Sequence, residues 1–104
     1  LAGVCDVHRN ISFAQRKLHI GVIGLIVAEK FRGQGIGKKL MQTCLSEAQQ
    51  HIEGLRMIQL ECFASNTPAL TLYRQLGFRE VGRVPEAILH RGEYVDEVVM
   101  VKEL

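Results

Sequence analysis

Seven consecutive residues, Arg32-Gly33-Gln34-Gly35-Ile36-Gly37-Lys38, carry the clearest chemistry in this sequence. Alternating glycines let a backbone approach a ligand closely, because no Cβ stands in the way. They fall between a Val- and Ile-rich run and an amphipathic stretch, so they open a helix whose first amides have no partner of their own. Such amides and the helix dipole suit a pyrophosphate, and Arg32 and Lys38 add positive charge. Two familiar phosphate loops fail on spacing. A Walker A loop ending at Gly37-Lys38 needs Gly where Arg32 stands and Ser or Thr where Lys39 stands. A dinucleotide fingerprint needs Gly three residues after its second Gly, but Lys38 follows Gly35 and Leu40 follows Gly37.

Two other side chains have the chemistry to move protons. Glu61 lies in an apolar run, 57–63, that reads as a buried strand, where a carboxylate is costly unless paired or functional. It is either a base or one half of a structural pair. Tyr73 lies on the apolar stripe of a helix, so its ring serves the core or its phenol serves as an acid. Asn66 stands where a helix N-cap is expected. Glu93, Asp96 and Glu97 make the last strand acidic, which suits either a solvated edge or a cationic partner. Cys62 follows Glu61 with no motif pointing to a covalent intermediate, and Cys44 lies on an apolar helical face. His8, His19, His51 and His90 show no ligand spacing, so no metal is expected.

The elements that must position these groups follow from periodicity. Residues 1–7 and 18–27 read as strands, with a turn at the polar stretch 8–10. Ile36, Leu40, Met41, Cys44, Leu45, Ala48 and Ile52 recur in steps of three and four, which predicts a helix ending before Gly54. After the strand at 57–63, Ser65, Asn66 and Thr67 offer caps and Pro68 suits a first helical turn. Ala69, Leu72, Tyr73 and Leu76 then continue a second helix to Gly77. Strands at 78–89 and 93–101 close a hairpin on Arg91-Gly92. A helix between two buried strands implies a parallel crossover, whereas the hairpin is antiparallel. The class is α/β with a mixed, largely antiparallel sheet and flanking helices.

Composition narrows the rest. A chain of 104 residues suits one domain, and a hydrophobic fraction of 47% is enough to build a core. The formal charge of +2, with no long basic block, argues against nucleic acid as a partner. No run nears the ~20 apolar residues that cross a bilayer, so no membrane role is expected. Three cysteines without CxxC spacing suggest reduced thiols in a cytoplasmic protein.

Arg-Gly-Gln-Gly-Ile-Gly resembles the Arg/Gln-x-x-Gly-x-Gly/Ala signature of the GNAT family of N-acetyltransferases. Leu60-Glu61-Cys62-Phe63-Ala64-Ser65-Asn66 resembles the family's fifth strand and the turn after it. Ala69, Leu72, Tyr73, Leu76, Gly77 and Phe78 match its Ala-x-x-Leu-Tyr-x-x-x-Gly-Phe helix. The resemblance runs along essentially the whole chain and implies an acetyl-CoA-dependent N-acetyltransferase, acting on a primary amine in a ternary complex without a metal. It implies that Arg32, Gly33, Gln34, Gly35, Ile36, Gly37 and Lys38 hold the coenzyme A pyrophosphate, mostly by backbone N–H groups. Leu25, Ile26 and Val27 would receive the pantetheine arm, with Val27 N–H polarising the thioester carbonyl. Asn66 would also bind the coenzyme, Tyr73 would protonate the departing thiolate, and Glu61 would deprotonate the amine, as it does in some members.

The alternative is a non-catalytic coenzyme A-binding or regulatory module of the same fold. The family's opening strand and first two helices have no counterpart here, and the sequence starts with Leu inside an expected strand. A domain truncated at its N-terminus is therefore expected. Its bared apolar surface would favour self-association, as in a homodimer. The acceptor is left open among polyamines, amino acids, aminoglycosides and protein N-termini.

Overall fold

The alternation of Val and Ile in residues 20–27 needs a sheet, and β2 (Ile20–Val27) finds its partner in β1 (Gly3–Arg9). The two pair antiparallel from Gly3↔Val27 to Arg9↔Gly21. The structure, a computed structural model, describes residues 3–9, 19–27 and 35–104. Arg32, Gly33, Gln34, Leu18 and Asn10 lie outside the described residues, as do the first two positions of the chain. The remaining elements are α1 (Ile36–His51), β3 (Met57–Phe63), α2 (Thr67–Gln75), β4 (Arg79–His90) and β5 (Glu93–Glu103). The five described strands form one mixed sheet. Two units divide the chain, Leu1–Ile58 with Leu104, and Gln59–Glu103.

In the first unit the strand order is β1-β2-β3. Of the turn expected at 8–10, His8 and Arg9 instead belong to β1, paired with Val22 and Gly21, and Asn10 lies outside the described residues. A backbone ladder offered by a neighbouring strand outweighs the weak strand preference of polar residues, most easily on an outer strand. Gly21 is buried, and a Cβ there would stand 2.9 Å from Val7 Cγ1 and 3.1 Å from both Ile58 Cδ1 and Leu55 Cδ1. The carbonyl of His19 accepts from Arg56 N–H and Met57 N–H at 2.8 and 3.1 Å, tying the start of β2 to the start of β3. Against β1 and β2 lies α1, burying Met41, Leu45 and Ala48. Ile52 N–H closes onto Ala48 O at 2.9 Å, so α1 ends before Gly54, as its spacing predicts.

In the second unit the order is β3-β5-β4. Leu60 and Cys62 of β3 are buried, as are Val98, Met100 and Val101 of β5 and Phe78 before β4. Arg91 and Gly92 both have positive φ, 51° and 79°. Two such residues in a row make the tight hairpin turn whose twist suits flanking strands. The β4–β5 ladder is irregular: Val81 is an extra residue, and Pro85, Glu86 and Ala87 all stand opposite Asp96. Asp96 holds this bulge, since its Oδ1 accepts from Glu86 N–H at 3.0 Å and its Oδ2 lies 3.7 Å from Arg83 Nη1.

Gly21 tests the first unit. Gly21→Val should cost about 1–3 kcal/mol in chemical denaturation by overpacking the space shared by Val7, Leu55 and Ile58. A stability equal to the parent would show that this contact is slack.

Candidate functional site

The candidate residues fall into two groups, one in each unit. The first is the start of α1 with the end of β2. Gly35 caps α1 with φ 77° and ψ 4°, in the left-handed region where a side chain is strained. Among the described residues no side chain caps this end, and its first turn carries no acidic residue. Lys39 N–H is bonded to Gly35 O at 3.1 Å, so the amides of Ile36, Gly37 and Lys38 precede the first intrahelical bond. Among the described residues, a Cβ on Gly35 would meet nothing within 4 Å. Lys38 is exposed. These residues fit a phosphate on chemical grounds: first-turn amides with no intrahelical partner, the positive end of a dipole and a cation. Leu25, Ile26 and Val27 end β2, opposite Cys5, Val4 and Gly3 of β1. The bonds from His19 to β3 lie at the other end of β2.

The second group sits on β3 and α2. Asn66 is the N-cap of α2, its Oδ1 accepting from Ala69 N–H at 3.3 Å, so the capping role read from the sequence is realised. Tyr73 is half-buried, and its ring meets Phe78 edge-on at 6.1 Å between centroids. The stripe thus does place the ring in packing.

Glu61 corrects the sequence reading. Its side chain is exposed on β3, so the burial that would make its charge costly is absent. Its neighbour is another carboxyl, Glu97 of β5. Partial burial, then the charge of Glu61 and a side-chain hydrogen bond with it, hold Glu97 above its usual 4.5. Reading β5 only as an acidic stripe missed this partner; it takes the pairing of β3 with β5 to put the two acids together. Burial pushes the Cys62 thiol up, away from the thiolate that a nucleophile needs. Among the described residues no three His, Cys, Asp or Glu gather as a metal site. None of the described helices is long and apolar enough to cross a membrane.

The model of the acetyltransferase (GNAT) family matches residues 1–78. The L-amino acid N-acetyltransferase AaaT of Escherichia coli is 29% identical over 97 residues, 91% of this chain and 59% of that protein. N-alpha-acetyltransferase 30 of Saccharomyces cerevisiae is 34% identical over 89 residues, 85% of this chain and 46% of that protein. The crystal structure of ribosomal-protein-alanine N-acetyltransferase from Brucella melitensis matches with a TM-score of 0.89 at 25% identity, covering 99% of this chain and 62% of that one. The chain spans less than two thirds of the length of each of these relatives.

The carboxyl pair sets a pH dependence. Because Glu97 binds its proton more tightly folded than unfolded, its contribution is full below about 4.5 and is lost as pH rises through the raised folded value. Glu97→Gln should therefore stabilise the fold near neutral pH and lose that advantage in acid. Melting curves across pH that run parallel for both proteins would remove the pair.

Proposed function

The chain belongs to the acetyltransferase (GNAT) family, and on that premise we propose that it takes acetyl-CoA and transfers the acetyl group to a primary amine. The observation that supports this reading is the start of α1: a left-handed glycine and, among the described residues, no side chain capping the first-turn amides. Backbone N–H groups of Gly35, Ile36, Gly37 and Lys38 bind the pyrophosphate, with Arg32, Gly33 and Gln34 completing the loop. Leu25, Ile26 and Val27 orient the pantetheine arm through their backbone, and Asn66 adds a polar contact beyond its cap. Acetyl-CoA supplies an activated thioester. The acetyl group then passes directly to the amine in a ternary complex, without resting on the enzyme.

Two side chains handle the protons. Glu61, exposed and therefore reachable, accepts the proton of the incoming ammonium, directly or through water. Tyr73 donates its phenolic proton to the departing thiolate. An α-amine is the first acceptor class to try, since the relatives just described are named for an L-amino acid, for N-alpha-acetyl transfer and for a ribosomal-protein alanine. Three cysteines without CxxC spacing fit a cytoplasmic setting.

Two substitutions test the reading in the full chain. Gly35→Glu sets an anion against the phosphates and should abolish coenzyme A binding in calorimetry. Gly35→Ala, which carries the backbone strain without the charge, should keep more of the affinity. A folded Gly35→Glu protein that binds as the parent does would dismiss the cradle. Tyr73→Phe keeps the ring and removes the hydroxyl, so turnover of acetyl-CoA with the best amine of a panel should fall about 10²-fold. Affinity for acetyl-CoA should stay within a few-fold. Undiminished turnover would leave Tyr73 a packing residue, whereas coenzyme A binding with no turnover for any amine would favour the non-catalytic module.

A further inference from the structure

The C-terminus of α2 is closed with unusual completeness. Phe78 N–H reaches back to Tyr73 O at 2.9 Å and Gly77 N–H to Arg74 O at 3.1 Å, the paired bonds of a Schellman motif. That motif commonly carries an apolar contact between the two residues spanned by its longer bond, and here the contact is the ring pair Tyr73–Phe78. The Leu76 carbonyl, at the very end of the helix, cannot be satisfied within it. Lys102 of β5 donates its Nζ to that oxygen. Gly77, at φ 94°, makes room for it, since a Cβ there would stand 2.8 Å from Nζ. A half-buried ammonium thus meets the negative end of the helix dipole, on a strand anchored by buried Met100 and Val101.

We propose that Lys102 is a positioning residue for Tyr73: it ties the last turn of α2 to β5 and so holds the phenol on Phe78. The catalytic consequence rests on the reading of Tyr73 as proton donor, but the anchoring does not. The sequence offers a direct readout, because it has two tyrosines and no tryptophan. In a Tyr94→Phe background, which changes a residue 67% exposed, tyrosine fluorescence reports Tyr73 alone.

Lys102→Met keeps an apolar stem and removes the donor. Gly77→Ala leaves the lysine and displaces its tip. Acrylamide quenching of Tyr73 should rise in both, in proteins shown by circular dichroism to be folded. Unchanged quenching in the folded variants would overturn the anchor. With Tyr94 restored, Lys102→Met should lower kcat about ten- to a hundred-fold through misplacement of the phenol. It should lower kcat no further when Tyr73→Phe is already present, whereas losses that simply multiply would overturn positioning through Tyr73. If Tyr73→Phe alone leaves turnover intact, the proton-donor reading falls, and quenching still decides whether Lys102 holds the ring.

Discussion

An α-helix cannot satisfy the amides of its first turn or the carbonyls of its last, and this structure treats those ends in opposite ways. At the start of α1 the donors are left to a glycine that offers no side chain. At α2 the Asn66 carboxamide takes one end, while a Schellman turn and a lysine from β5 take the other. An end left open has the chemistry of a binding site. An end closed by the protein has the stiffness needed to hold a side chain still.

Much of this was legible in the residues themselves. The three- and four-residue steps from Ile36 to Ile52 located α1 within a residue, because one stripe of that helix must be buried. Arg91-Gly92 marked the hairpin because few residues accept consecutive positive φ. Asn66 and Pro68 marked the start of α2 for equally local reasons. Gly35 caps α1 in the left-handed region, while Arg32, Gly33 and Gln34 lie outside the described residues.

What could not be read depends on partners distant in the chain. His8 and Arg9 are strand residues because β2 offers them a ladder. Glu61 is exposed although its strand alternates around buried residues, and its neighbour Glu97 is 36 positions away in number. Lys102 looks like any surface cation until β5 brings it to Gly77. Exposed pairs such as Arg79–Glu103, at 2.9 Å, add little to stability. The buried row on β5 matters more.

The irregular ladder of β4 explains why that strand carries no period-two signal: one extra residue at Val81 switches which face each later side chain takes. The same bulges divide the hairpin into a conserving and a permissive strand. β5 carries buried Val98 and Met100 at a fixed spacing, so a single insertion there would turn the row outward. β4, at the outside of the described order, already accommodates surplus residues opposite a regular partner strand. Insertions and deletions in this half of the chain are thus channelled into one strand, where the outline of the molecule can drift while its core stays in register.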